Sequence, residues 1–146
     1  MSTEARSAAV AALIRLAGST DHRDRADAGR ALAAFAEAPE AKRPLLDLVL
    51  DADNTFTTRV TAEALLRRQD PAGLEVVATA LATADDNHAD WIHTAVLDVF
   101  GMFARDRDTA VRQCEALASD ADERTRRGLD LVTAVLVGID PVLRPA

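Results

Sequence analysis

The sequence predicts an all-α protein of about eight helices arranged in four hairpins. Aromatic residues make up 3% of the 146 residues and tyrosine is absent, so the core has to be built mainly from Ala, Leu and Val. Ala and Leu are strong helix formers because they lose little side-chain freedom in a helix, whereas a sheet protein is richer in Val, Ile, Thr and aromatic residues. No apolar run alternates as in a strand, and helix-opening residues recur at a fixed spacing.

Turn-forming residues divide the first half of the chain into four predicted helices. These turns lie at residues 18–20, 38–39, 51–54 and 70–71, where Gly, Pro, Asp and Asn concentrate. Such residues interrupt helices because they favour other backbone conformations or bond to the backbone themselves. The predicted helices are Thr3–Ala17, Asp24–Ala36, Glu40–Leu50 and Thr57–Arg68.

The second half of the chain divides in the same way, with turns at residues 85–87, 105–107 and 119–122. Pro71 stands at the start of the fifth helix, where the first turn tolerates a missing N–H. The predicted helices are Ala72–Ala84, Ala89–Ala104, Asp108–Ala118 and Glu123–Ile139.

An internal repeat relates the helix pairs, and its copies start near residues 21, 54, 87 and 120. Asp21, Asn54, Asn87 and Asp120 each open a predicted helix and stand 33 residues apart (21 to 54, 54 to 87, 87 to 120). An acid or a threonine follows each at the third position, as in a capping box that satisfies the free N–H groups of a first turn. Eight positions after each opening residue comes a small residue, which predicts close approach of neighbouring helices; these are Gly29, Ala62, Ala95 and Gly128.

Parts of the repeat resemble a known family. Residues 25–32, followed by a turn and residues 45–50, resemble a HEAT repeat, and so do residues 64–81. The resemblance covers about residues 20 to 139. It implies a right-handed α-α superhelix of stacked hairpins, as a single repeat domain over residues 1–146 that serves as a scaffold. A 33-residue period also suits ankyrin and tetratricopeptide repeats, but the Thr-Pro-Leu-His of the first and the tyrosine of the second are absent.

The third copy departs from the common register at Asp98. Counting by 33 places Asp98 where the other copies have Leu32, Leu65 and Leu131. The apolar stripe of this helix has a clean helical period, and Asp98 lies more than about 100° from its centre. We therefore expect the core of this copy to be displaced by one residue relative to its cap, rather than an acid to be buried.

Acidic residues concentrate in the predicted turns, which equal spacing should place along one side of the stack; we call this the acidic edge. Its candidate partner-binding residues are Asp53, Asp86, Asp90 and Asp122. Three interpretations of the edge are open: a docking surface for a basic protein, a cation site, or a set of helix caps that also keep the protein soluble. Helix capping explains most of these residues. Residues 51–55 lack the glycine and the distal glutamate of an EF-hand loop.

A second candidate surface consists of Trp91, Asp98 and Met102, on a side of the sixth helix away from its apolar stripe. The positions equivalent to Trp91 in the other copies are polar, which predicts a partly exposed tryptophan. Tryptophan anchors interfaces because it is large and amphipathic. Packing against an adjacent repeat is the alternative.

No motif predicts catalysis, a cofactor or a metal. His88 and His93 are five residues apart and do not share a helix face, and no further Cys or His completes a zinc site. Ser-His-Asp, phosphate-loop and His-Glu-x-x-His patterns are missing. The sequence therefore predicts a protein that is not an enzyme.

Charge and hydropathy restrict the partners. A net charge of −7 argues against nucleic acid, because phosphates would be repelled. The first residues do not have the pattern of a signal peptide, and the longest apolar stretch, residues 131–139, is too short to cross a bilayer. Cys114 lies in an apolar helical pattern that predicts a small core residue. We expect a cytoplasmic protein without membrane contacts.

The last predicted helix is apolar nearly all round from Leu129 to Ile139. Repeat arrays normally end in a helix with a polar outer face. Asp140-Pro141 resembles the opening of one further helix. Either the short tail covers the last helix, or a second copy packs on it to form a homodimer; the sequence leaves both open.

The predicted function is that of a non-enzymatic HEAT-like adaptor that binds another, basic protein through the acidic edge or through its curved face. One alternative is an immunity or antitoxin protein that neutralises a basic toxin. The resemblance also allows a DNA-repair glycosylase, which needs a basic groove and several aromatic residues, or a ligand-binding or lyase-type HEAT protein. With conventional stacking the curved face presents Lys42, Arg43, Asp47, Glu75, Thr79, Arg112 and Glu115.

Overall fold

The computed structural model describes residues 1–145, which form eight α-helices. The predicted all-α fold is confirmed. A 3-10 turn, Ala33–Phe35, follows the second helix. Within residues 1–145 the one strand-like pairing is an isolated bridge between Phe103 and Leu143. The helices are α1 (Thr3–Ala17), α2 (His22–Leu32), α3 (Pro39–Val49), α4 (Thr55–Arg67), α5 (Pro71–Leu81), α6 (Asp86–Phe100), α7 (Ala104–Ala118) and α8 (Glu123–Gly138).

The predicted caps of α2 and α4 are confirmed. The Asp21 side chain accepts a hydrogen bond from the backbone N–H of Arg23, and the Asn54 side chain accepts one from that of Phe56. These bonds satisfy N–H groups that have no partner inside the helix.

The predicted caps of α6 and α8, Asn87 and Asp120, are wrong. Asp85 caps α6 and Asp122 caps α8. Each of these turns contains several Asp or Asn residues, and any of them has a side chain suited to capping. The choice among them depends on what the following helix contacts, so the strict 33-residue spacing of caps ends after α4.

Helix α7 begins at Ala104 rather than at the predicted Asp108. Its N-cap residue, Phe103, has no side-chain group that bonds to the helix. Instead, the N–H of Ala104 donates to the carbonyl oxygen of Leu143 at 2.9 Å. The C-terminal tail (residues 139–145) thus satisfies the first turn of α7, and a local sequence pattern contains no signal for that contact.

The helix pairs stack in order until α8 interrupts the stack. Helix α4 packs against α2 and α6, and α5 packs against α3 and α7. Helix α8, which the repeat pattern places beside α6, makes most of its contacts with α5 and α7. Arg124 donates to the carbonyl oxygen of Thr79, and the hydroxyl oxygens of Thr79 and Thr125 are 3.0 Å apart. The last helix of the chain therefore covers part of the surface expected to form an open curved face.

Small residues bring the helix backbones close together, as predicted. A Cβ atom on Gly29 would lie 2.0 Å from Oγ1 of Thr61 in α4, and one on Gly128 would lie 1.7 Å from the carbonyl oxygen of Ala78 in α5. Ala62 and Ala95, the other two small residues of this register, are fully buried. Because Gly128 contacts α5 and not α6, it serves a different neighbour from its counterpart Gly29.

Asp98 is exposed, as predicted, whereas Ile92, Val96 and Phe100 of the same helix are buried. The predicted displacement of the core by one residue relative to its cap is wrong, because Asp85 caps α6 and the buried Val96 follows it at the same distance as the buried Leu32 follows Asp21 (85 to 96, 21 to 32). In the fourth copy, Leu131 is 44% exposed. The predicted equivalence of that residue with the buried leucines of the first two copies is therefore wrong.

The apolar surface of α8, the last helix, is only partly covered by the rest of the chain. Helix α8 buries Leu129, Val132 and Leu136 but leaves Leu131 and Val137 exposed. Asp140-Pro141 does not open a helix; the tail instead bonds along the turn between α6 and α7 through the N–H groups of residues 142 and 143. The tail thus covers that turn rather than the exposed side of α8, and dimerisation through α8 stays a prediction.

Two buried hydroxyl groups in α4 lack hydrogen-bond partners, those of Thr58 and Thr61. A buried hydroxyl without a partner costs about 1–3 kcal/mol. We expect Thr58→Val to raise the free energy of unfolding, measured in urea, by about 1 kcal/mol. Thr57→Val is the matched control, because the equally buried Thr57 hydroxyl donates to the carbonyl oxygen of His22; this change should lower stability. Equal effects of the two substitutions would contradict the explanation.

Candidate functional site

Hydrogen bonds join the turns before α2, α4 and α6 into one edge. Arg25 in α2 donates to the carbonyl oxygen of Ser19 at 3.0 Å and to the carboxylate of Asp51, in the turn before α4, at 2.6 Å. The ring nitrogen Nε2 of His88 in α6 lies 2.6 Å from the carbonyl oxygen of Asp51. These contacts place the three turns next to one another, as their equal spacing predicts. Asp51 contacts a residue from each of the two neighbouring helices.

The Arg25–Asp51 ion pair is largely withdrawn from water, with 11% of the Arg25 side chain and 7% of the Asp51 side chain exposed. One Asp51 carboxylate oxygen also accepts the N–H groups of Asp53 and Asn54. Burial alone would raise the pKa of Asp51, but the hydrogen bonds from Arg25 and from these two N–H groups lower it below its usual value. The carboxylate therefore stays ionised and holds the turn in place.

His88 links this turn to the start of α6. Its Nδ1 atom lies 2.7 Å from Oδ1 of Asp85, the capping residue, and 12% of its side chain is exposed. The hydrogen bond to the Asp51 carbonyl raises the pKa of His88, partial burial lowers it, and the Asp85 carboxylate raises it further, so that the pKa lies above its usual value.

Arginines also lie at the turn before α8, but there they bond to carbonyl and hydroxyl oxygens, whereas at the earlier turns Arg23 and Arg25 form ion pairs with Asp21 and Asp51. Arg124 donates to the hydroxyl of Thr83, in the turn between α5 and α6, at 2.9 Å. Arg126 donates to the carbonyl oxygens of Ala118 and Ala121 at the end of α7. Cations at a helix C-terminus are favourable because they interact with its free carbonyl groups. The acidic edge is therefore negative at its middle turns and mixed in charge at its last turn.

The four predicted edge residues have different roles in the structure. Asp53, Asp86, Asp90 and Asp122 are all exposed, and the Asp53 side chain is 86% exposed. Asp53 lies 4.0 Å from Arg25, and among residues 1–145 the other three have no ion-pair partner within 4 Å. Asp122 is a helix cap, so Asp86 and Asp90 are the edge carboxylates that neither cap a helix nor pair with a cation among residues 1–145.

The second candidate surface is also accessible. Trp91 is 37% exposed, Met102 is 47% exposed, and Asp98 is exposed. Because Trp91 directly follows Asp90, this surface begins where the acidic edge ends on α6. The two surfaces together present negative charge beside one large aromatic side chain.

A cleft of about 540 Å³ opens beside the buried ion pair. Its lining includes Ile14, Leu48 and Asp47, together with Arg25 and Asp51 themselves. The sequence did not predict the roles of Arg25, Asp51 and His88. The one available signal was the recurrence of Arg25 as Arg124 in the fourth copy, and in the structure those two arginines have different partners.

No group of three or more His, Cys, Asp or Glu side chains among residues 1–145 is arranged to hold a metal ion. Cys114 is fully buried, as predicted, and burial raises the pKa of its thiol. None of the helices formed by these residues has the length and apolar character needed to cross a membrane.

Comparison with known proteins does not assign a family. No protein-family model matches the chain, and no curated protein does. One solved structure with some similarity is the crystal structure of an engineered protein from the Northeast Structural Genomics Consortium. It is 21% identical, with 88% of this chain and 62% of that protein covered, and its TM-score is 0.37. This likeness is too low to support any statement on fold or function.

Proposed function

We propose that the chain is a non-enzymatic, HEAT-like adaptor that binds a basic protein along the acidic edge. The observation that carries the proposal is the set of exposed carboxylates at Asp53, on the turn before α4, and at Asp86 and Asp90, at the start of α6, because this turn and this helix start are hydrogen-bonded to each other through His88. Charges at fixed positions on an ordered surface steer a partner of opposite charge and fix its register. A basic toxin is one such partner, so the proposal includes an immunity role.

The acidic edge is a better docking surface than the curved face, because side chains expected on the curved face already have partners within the chain. Helix α8 packs on α5 and α7, and Thr79, one of the residues expected on that face, bonds to Arg124 and Thr125. Lys42 and Glu75, also expected there, pair with each other at 3.4 Å. These side chains are already engaged within the chain, whereas Asp86 and Asp90 have no ion-pair partner among residues 1–145 and the Asp53 side chain stays 86% exposed beside Arg25.

Charge reversal tests the proposal. In the triple variant Asp53→Lys, Asp86→Lys and Asp90→Lys, we expect association with the native partner to slow by about tenfold or more, because the steering charges change sign. The partner is first captured with the wild-type chain from the native host and identified, and its association rate is then measured by surface plasmon resonance at low and high salt. Asp122 is left unchanged because it caps α8.

The matched control reverses exposed acids away from the edge, at Glu40, Glu115 and Asp130. This variant has the same net charge as the first, so a general charge effect would slow both. Equal rates for the two variants, or a rate that does not depend on salt, would contradict docking at the acidic edge.

A further inference from the structure

Both ring nitrogens of His88 face atoms that only accept hydrogen bonds. The carbonyl oxygen of Asp51 lies 2.6 Å from Nε2, and the carboxylate oxygen of Asp85 lies 2.7 Å from Nδ1. A neutral imidazole has one N–H and one lone pair, whereas the imidazolium has two N–H groups. Both short contacts are therefore attractive only when the ring is protonated, and the loss of one proton turns one of them into repulsion between lone pairs.

We propose that His88 is a proton-dependent latch that holds the start of α6 against the turn between α3 and α4. When protonated, it bonds to both turns at once. When neutral, it keeps one acceptor and releases the other, so that the ring no longer joins the start of α6 to the Asp51 turn. Arg25 still pairs with Asp51, and the backbone N–H of His88 still donates to Asp85. Asp53 lies on that turn and Asp86 at the start of α6, so the latch controls how firmly these two parts of the acidic edge are joined.

The charged groups around the ring favour the protonated form. Asp85 contacts the ring from the cap of its own helix, and Asp51 lies on the facing turn with its carboxylate already paired to Arg25 of α2. Asp53 and Asp86 stand on the same two turns and are exposed. The start of α6 opposes a cation there, because the free N–H groups of a helix N-terminus carry positive partial charge. The hydrogen bond to the Asp51 carbonyl and the Asp85 carboxylate raise the pKa of His88 above its usual value, against partial burial of the ring.

The sign of the effect on stability follows from the raised pKa. A group whose pKa is higher in the folded chain than in the unfolded chain contributes stability that is complete below the unfolded value, about 6.5 for histidine. That contribution is lost as the pH rises through the folded value. For each unit between the two pKa values, the ratio of folded to unfolded chain falls up to tenfold.

Nitrogen-15 NMR of the histidine rings tests the latch in the wild-type chain. At pH 6.5 we expect both nitrogens of His88 to be protonated, and the titration midpoint to lie above 6.5. Amide hydrogen exchange at residues 51–54 or 85–88 should rise above that midpoint, after correction for the pH dependence of intrinsic exchange. A neutral ring at pH 6.5, or exchange at both turns that does not change with pH, would overturn the proposal.

Two variants test whether the pH response comes from His88 or from the other histidine of the same helix. In His88→Gln, corrected amide exchange at residues 51–54 or 85–88 should be high at every pH. It should no longer rise at the pH where the wild-type histidine titrates. In His93→Gln, a change in the same helix outside the two turns, the wild-type dependence should remain. Loss of the pH response in the second variant and not in the first would also reject the latch.

Discussion

Replacement of Gly128 by alanine is expected to lower the free energy of unfolding by about 3 kcal/mol or more, the upper range for overpacking. The added Cβ atom would lie 1.7 Å from the carbonyl oxygen of Ala78 and 2.4 Å from its carbonyl carbon. Both belong to the backbone of α5, which has no rotamer through which to move away. Helices α5 and α8 therefore have to separate, and the buried contacts of Leu129 and Val132 weaken. Urea unfolding followed by circular dichroism measures the loss.

Gly138→Ala is the matched control in the same helix. A Cβ atom on Gly138 meets nothing within 4 Å, and alanine favours a helix over glycine by up to about 1 kcal/mol. We therefore expect this variant to be unchanged or slightly more stable. Similar losses at Gly128 and Gly138 would show that α8 does not pack closely on α5.

Removal of the Asp51 carboxylate is expected to have an effect of similar size. Asp51→Ala leaves the guanidinium of Arg25 with only the exposed carboxylate of Asp53, 4.0 Å away, as a counter-ion, and breaking a buried pair on one side costs about 3–5 kcal/mol. The N–H groups of Asp53 and Asn54 also lose their acceptor. We expect a loss of about 3 kcal/mol or more in the free energy of unfolding at pH 7. The double variant Arg25→Met, Asp51→Ala should lose less than the two single changes together, because no charge is then left unpaired.

An exposed pair provides the control for Asp51. Asp47 pairs with Arg43 on the surface of α3, with 67% and 84% of their side chains exposed, and Asp47→Ala should change stability by at most about 0.5 kcal/mol. The pH dependence gives a further check. Because the pKa of Asp51 is lowered in the folded chain, its contribution is present above the unfolded value of about 3.9 and is lost as the pH falls through the folded value. A stability difference between wild type and Asp51→Ala that does not shrink as the pH is lowered from about 3.9 would contradict this assignment.

Sequence patterns alone predict most of the candidate edge but not how it is held together. Composition and spacing predict exposed acids near the turns, and Asp53, Asp86 and Asp90 are exposed, although Asp86 belongs to α6 and not to the turn before it. The contacts of Arg25 with Asp51 and of Asp51 with His88 join residues 26 and 37 positions apart. No local period relates such partners, because each contact depends on how one helix pair stacks on the next.

Local patterns in the sequence predict the eight helices, the caps at Asp21 and Asn54 and the exposure of Asp98, because helix formation, capping and amphipathic period act within a few residues. The caps at Asp85 and Asp122, which begin α6 and α8, became evident only from the folded structure. The tertiary structure also decided that the tail caps α7 at Ala104 and that α8 packs on α5 through Gly128. In each of these cases several local choices were chemically equivalent, and contacts between segments distant in the chain selected one of them.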